Sequence, residues 1–237
     1  MPNIARGLSL AIALSASAGL WSGTLASAAD SDHPVVVELF QSQGCSSCPP
    51  ANAILNQIAD RPEILALSFA VTYWDQLGWK DSFAHPAYTA RQWEYSRAGG
   101  RGNVSTPQMI VNGRGVLVGS DRNEVAAFIR RFDRGVGGPA IAVAGGQVRV
   151  AQGKASRPAN VWLIRYDPRI QNVPIRAGEN GGRTLPHKNI VRSVQLLGKW
   201  TGKAASFAMT PSGSPFYRTA VLVQDGPGGA ILSARKL

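Results

Sequence analysis

Apolar residues follow three successive patterns along the chain: one long uncharged run, then alternating strand-like and helix-like stretches, then short strand-like runs alone. The middle region opens with Val35-Val36-Val37-Glu38-Leu39-Phe40, a β-branched stretch that predicts a buried strand. Gln41 to Gly44 supplies a turn. The segment opened by Cys48-Pro49-Pro50 then places Ala51, Ile54, Leu55 and Ile58 at helical spacing, with both prolines in the first turn, where a missing N–H costs least. Ile64 to Val71 predicts a second strand, parallel to the first because a helix connects them. A helix is expected from about Pro86 to Arg97. Gln108 to Val111 and Gly115 to Val118 flank Asn112-Gly113, a strong hairpin signal. Asp121 and Glu124 then have capping-box spacing ahead of Val125, Phe128 and Ile129, which predicts a closing helix.

Beyond Gly135-Val136-Gly137-Gly138-Pro139 the helical periodicity stops. Six short runs follow, at residues 141–143, 147–150, 160–166, 189–194, 205–208 and 219–223, separated by turn residues. This spacing predicts an antiparallel, sandwich-like β arrangement. The sequence therefore divides into an α/β unit over 29–134 and an all-β unit over 139–237, preceded by the uncharged run from Leu8 to Leu25. That run follows Arg6 and ends in Ala26-Ser27-Ala28, the small-x-small form of a signal-peptidase site, so residues 1–28 are expected to be an export signal cleaved before Ala29. An uncleaved anchor is the competing reading. Cleavage would leave a periplasmic or secreted chain with no transmembrane segment.

Charge separates the same two units. Residues 29–138 carry 10 Lys and Arg against 11 Asp and Glu, whereas residues 139–237 carry 14 against 3. An excess concentrated in one half suits an anionic partner. For an exported chain that partner is an anionic envelope component rather than nucleic acid. Solubility alone is the plainer account of the same excess.

The chain of 237 residues has only two cysteines, Cys45 and Cys48, three positions apart. A disulfide between them closes too small a loop to restrain the unfolded chain appreciably, so stapling explains them poorly. At the start of a helix that follows a strand, the pair gains a chemical reading, because a helix N-terminus stabilises a thiolate. Cys45 would attack and Cys48, one turn deeper, would resolve the mixed disulfide. Ser46 and Ser47 between them offer hydroxyl and backbone donors to the sulfur. No cofactor is required beyond the disulfide itself.

The order strand, C-x-x-C helix, strand, helix, Thr106-Pro107-led hairpin, helix resembles the thioredoxin fold. In that family the proline is cis and lies beside the active disulfide, which implies the same for Pro107 and leaves the Thr106 backbone free to bond an extended substrate. The chain departs from thioredoxin at Gly44, where that family usually has tryptophan, at Ser46-Ser47 in place of Gly-Pro, and by an insertion between Val71 and Thr106. More closely it resembles an uncharacterised family of secreted bacterial proteins, domain of unknown function 1223. The resemblance is carried by Glu38-Leu39-Phe40 through Gly44-Cys45-Ser46-Ser47-Cys48-Pro49-Pro50, Tyr73-Trp74-Asp75 with Leu77-Gly78-Trp79-Lys80-Asp81, Arg91-Gln92, Thr106-Pro107-Gln108 and Gly178-Glu179-Asn180 with Gly182-Arg183-Thr184-Leu185. It implies a thioredoxin-like half joined to a β-rich half, and export. It implies no substrate, which leaves a protein disulfide and a small thiol both open.

Glu38 is a lone carboxylate in an apolar strand, placed either to take a proton from Cys48 or to face solvent from an edge strand. Trp74 and Trp79 are candidates to wall a substrate groove, or to pack. His33, His85 and His187 are distant in sequence from the cysteines, so no metal site is assigned. A Cu(I) site on the two thiolates, helped by His85 or Met109, is the alternative chemistry. A third reading is a binding module acting through the basic half. Its loop bearing Arg176, Glu179, Asn180, Arg183, Thr184 and His187 would either bind a partner or satisfy itself, with Glu179 paired to an arginine.

Overall fold

The computed structural model describes residue 1 and residues 28–237, so the expected export signal lies almost wholly outside the described residues. The first strand, β1 (Val35–Gln41), leads through a turn into α1 (Pro49–Ile58) and then β2 (Ile64–Ala70), and both strands are buried along their whole length. They pair in parallel, with Val35 opposite Ile64 and Gln41 opposite Ala70. Helix α2 (Pro86–Ala98) follows, then the hairpin of β3 (Gln108–Val111) and β4 (Gly115–Leu117), then α3 (Arg122–Arg131). Asn112 and Gly113 turn the hairpin with φ of 47° and 68°, as the sequence pattern requires. The Asp121 carboxylate accepts the Glu124 N–H at 2.8 Å, forming one half of the expected capping box.

Alternation along β1 decides which helix covers which face. Val35, Val37 and Leu39 pack with Ala51, Ile54 and Leu55 of α1 and with Val125 and Ile129 of α3. Val36 and Phe40 face the other way, into a cluster with Tyr88 and Tyr95 of α2. The buried positions of α2 (Tyr88, Arg91, Gln92, Tyr95 and Ser96) recur at helical spacing but are polar or amphipathic.

Nine strands follow the linker: β5 (Ile141–Ala144), β6 (Gln147–Val150), β7 (Ala159–Asp167), β8 (Gln171–Pro174), β9 (Thr184–His187), β10 (Ile190–Trp200), β11 (Ala205–Ala208), β12 (Arg218–Gln224) and β13 (Ile231–Lys236). The sequence pattern predicts six of them. The short β8 and β9 each contain a proline, and β13 interleaves apolar with basic residues, so none of the three carries a strong strand pattern. The three-stranded sheet β11-β6-β5 packs on β7, β10 and β12 through Val148, Val150, Val161, Leu163, Trp200 and Val221.

The second layer is shared. One mixed eight-stranded sheet runs in the order β13-β12-β7-β10-β2-β1-β3-β4, joining strands from both sides of the linker. The junction is a parallel contact of β10 with β2, where Ile190 lies opposite Ser68 and the Ser68 N–H donates to Asn189 O at 3.0 Å. Asn189 clamps the seam again by donating from its carboxamide to Ala66 O at 2.8 Å. Ile164, Tyr166 and Leu222 accordingly join Phe40, Phe69 and Tyr95 in a single cluster. The architecture is mixed α/β, dominated by strands. Among the described residues no helix is long and apolar enough to cross a membrane.

Candidate functional site

The turn after β1 delivers Cys45 to the start of α1. Cys48 is the N-cap residue of that helix and Pro49 and Pro50 follow, so two of the first-turn positions carry no N–H. Cys45 and Cys48 form a disulfide with Cα atoms 5.4 Å apart, and both residues are 0% exposed. Ser46 and Ser47, between them, are exposed.

The hairpin strand brings the second expected element to the same place. The Thr106–Pro107 peptide bond is cis. The Ser47 hydroxyl lies 3.4 Å from Cys45 Sγ and 3.5 Å from Thr106 O, so one side chain touches both the sulfur and the peptide before the proline. Trp74 Nε1 donates to Thr106 Oγ1 at 2.7 Å, and Trp79 Nε1 donates to Gln43 Oε1 at 2.9 Å. Both half-buried tryptophans thus tie the insertion to the site through their indole N–H groups.

Three residues distant in sequence from the cysteines complete the turn. The buried Asp81 accepts Gln43 N at 2.7 Å and Phe83 N at 2.8 Å. Burial pushes its carboxyl up to about 6, against the pull of those two N–H bonds, and Asp75 adds to the rise. From the second half, Asn180 donates through Nδ2 to both Gln43 O and Cys45 O at 2.9 Å, while Arg183 donates to Asn180 Oδ1 at 2.8 Å. Beside it, Glu179 accepts the Ser46 N–H at 3.1 Å. Hydrogen bonds from Ser46 hold the Glu179 carboxyl below its ordinary range. The expected pairing of Glu179 with an arginine is not formed: its partner is the peptide between the cysteines. The only sequence signal for this contact was the Gly178-Glu179-Asn180 motif, which carried no indication of what it touches.

Other candidates lie apart. Glu38 faces α2, on the side of the sheet opposite α1. Arg91 Nε donates to it at 2.7 Å and the Tyr95 hydroxyl donates to its other oxygen, so the structure does not bring Glu38 to Cys48. Nor does Glu38 face solvent, since β1 is an interior strand and the side chain is 0% exposed. Arg91 also donates to Gln224 Oε1 at 3.1 Å, which spreads this buried network across both halves. His85 caps α2 by accepting Ala87 N, and Met109 is buried in the core beneath α1 and α3. Among the described residues no group of three or more His, Cys, Asp or Glu is placed to hold a metal ion. His187 is buried, stacks edge-on to Phe83 at 5.8 Å, and has no hydrogen-bond partner on either ring nitrogen among the described residues.

A crystal structure of a protein from Agrobacterium tumefaciens is similar to this chain at 33% identity, covering 88% of this chain and 94% of that one, with a TM-score of 0.71. HBP35 of Porphyromonas gingivalis shares the fold at 12% identity, over 87% of this chain and 75% of that one, with a TM-score of 0.59. No curated protein matches. A family model described as a protein of unknown function, DUF1223, matches residues 36–224. That span takes in the disulfide turn, the Thr106–Pro107 peptide and the loop that bears Glu179 and Asn180, and on it the chain belongs to the DUF1223 family.

Proposed function

We propose that the protein is an exported thiol–disulfide oxidoreductase whose first half is thioredoxin-like. The observation that carries the reading is the Cys45–Cys48 disulfide at the N-terminus of α1, with the cis Thr106–Pro107 peptide held against it through Ser47. The strand order β2-β1-β3-β4, with α1 and α3 on one face and α2 on the other, supports the thioredoxin likeness. The layered strands beyond the linker form the β-rich half.

In the reduced protein the Cys45 thiolate attacks a substrate disulfide, forms the mixed disulfide and expels one substrate sulfur. The Cys48 thiolate then attacks Cys45 Sγ, restoring the Cys45–Cys48 bond and releasing the second sulfur, so that two electrons reach the substrate. The start of α1 and the Ser47 hydroxyl stabilise the thiolate. The backbone at Thr106 pairs with an extended segment of a protein substrate, and a small thiol is served by the same sulfur chemistry. The uncharged run from Leu8 to Leu25 supports export, and the basic second half supports contact with an anionic envelope component.

The test is an equilibrium titration of the chain from Ala29 in glutathione buffers, with both cysteines read by thiol labelling. A reversible two-electron transition is expected. A midpoint near about −120 mV marks an oxidant and one near about −270 mV a reductase. Absence of a reversible transition would remove the assignment.

A further inference from the structure

Thiol–disulfide exchange needs a nucleophile to approach a sulfur along the S–S axis, yet Cys45 and Cys48 are both 0% exposed. The chain around the pair is held on two sides by elements distant in sequence. On one side the insertion ties Trp74 to Thr106 and Trp79 to Gln43. On the other, the loop between β8 and β9 bonds the backbone before, at and after Cys45: Asn180 takes Gln43 O and Cys45 O, and Glu179 takes Ser46 N.

The two anchors differ in kind. Trp74 packs against the core cluster beneath α2, whereas the loop is joined to its own sheet by a narrow neck, Ile175 N to Arg183 O at 2.8 Å and Gly182 N to Ile175 O at 2.9 Å. Inside that neck the loop is internally closed, with Gly181 N bonded to Gly178 O and Arg183 N to Asn180 O. Gly178 and Gly182 bracket it in the left-handed region, at φ of 72° and 82°. Of its members only Asn180 is buried, and the Glu179 bond is exposed to water. Such a unit can lift as a body by releasing three hydrogen bonds and the close approach of Gly178 to Leu77, Gly78 and Trp79, without disturbing the strands that carry it.

We propose that the loop 177–182 is a cover over the disulfide, with Glu179 as its latch and Asn180 as the contact that reseats it, so that opening of the loop sets access to Cys45. The proposal rests on the redox reading for its purpose, but not for its test. When the cover lifts, the Ser46 N–H is freed together with the path to Cys45 Sγ. An incoming thiolate then bonds to that sulfur, the Cys45–Cys48 bond breaks, and Cys48 leaves as thiolate.

The experiment uses dithiothreitol as the probe. Its first thiolate attacks Cys45, its second displaces Cys45 from the mixed disulfide, and the reagent leaves as its cyclic disulfide, two electrons having passed to the protein. With a cover, the reduction rate of the native protein rises with dithiothreitol and then levels off at the opening rate. Glu179→Ala, an exposed truncation that leaves the core untouched, raises the rate at low dithiothreitol by about three- to tenfold, the scale of one lost hydrogen bond of ordinary net strength at an exposed site. Glu179→Gln, which keeps an acceptor for the Ser46 N–H, gives a smaller rise. Asn180→Ala raises the rate further. Rates that stay proportional to dithiothreitol and are equal in the native protein and Glu179→Ala would overturn the cover. Because dithiothreitol reduces any reachable disulfide, this outcome leaves the glutathione titration standing. An irreversible titration beside a clear plateau would instead remove the redox reading and leave the cover.

Discussion

Asn180 donates to the carbonyl oxygen of Cys45 across 135 positions of sequence, and the same nitrogen reaches Gln43 O at the same 2.9 Å. One carboxamide therefore serves two acceptors in the turn: among the described residues it is the sole donor to Gln43 O, and it is a second donor to Cys45 O beside the Cys48 N–H at 3.2 Å. Its own oxygen is taken by Arg183, which fixes the amide orientation.

Removing that carboxamide should cost stability as well as open access to Cys45. Asn180→Ala leaves the Gln43 carbonyl without its donor and the Cys45 carbonyl with the Cys48 N–H alone, and a loss of about 1 to 3 kcal/mol is expected in urea denaturation. Asn180→Asp should be worse, because it sets a carboxylate against the same two oxygens. If both variants unfold at the same urea concentration as the native chain, Asn180 does not hold the turn.

The buried pair of Glu38 and Arg91 makes a separate prediction. Glu38→Gln leaves the Arg91 guanidinium buried without its counter-charge and should destabilise by about 3 to 5 kcal/mol, while Glu38→Gln with Arg91→Met should recover much of that loss. Since Glu38 faces away from α1, the pH dependence of alkylation of the reduced cysteines should be the same in folded Glu38→Gln as in the native protein. A displaced thiol titration would return Glu38 to the chemistry.

Asp81 and His187, which flank Phe83, should oppose each other in acid. Burial raises Asp81 from 3.8 to about 6, so the folded chain holds a proton that the unfolded chain has lost, and stability falls as pH rises through that window. Burial lowers His187 from 6.5 to about 4, so the unfolded chain takes up a proton first, and stability falls as pH drops from 6.5 towards 4. Each effect amounts to about 3 kcal/mol across its window. Relative to the native protein, Asp81→Asn should therefore gain stability as pH rises from 4 to 6, and His187→Leu should lose it over that range. Denaturation midpoints at several pH values decide, and parallel curves for all three proteins would refute the opposition.

The order of attack is testable by trapping. If Cys45 is the nucleophile, Cys48→Ser should accumulate a mixed disulfide with a model disulfide such as oxidised glutathione, seen by mass, and Cys45→Ser should accumulate far less. The reverse pattern would exchange the two roles.

How far the sequence reaches can be seen at individual residues. Val35 to Phe40, the prolines after Cys48, Asn112-Gly113 and Asp121 each state a local conformation, because periodicity, a missing N–H, a left-handed turn and a side-chain cap are properties of a few adjacent residues. On those grounds the sequence alone placed the cysteines at the turn between a strand and a helix, and the hairpin after Pro107. It could not tell that Ile190 would lie beside Ser68, since strand edges pair through backbone groups that every residue carries. Glu38 reads alike in sequence whether its partner is a thiol, water or Arg91, and only the alternation of β1 beneath α2 decided for the arginine. Likewise Glu179 and Asn180 were legible as a polar loop but not as the cover of the disulfide. A side chain bonding a distant peptide leaves no periodic trace, so that relationship exists only once the shared sheet has brought the two halves together.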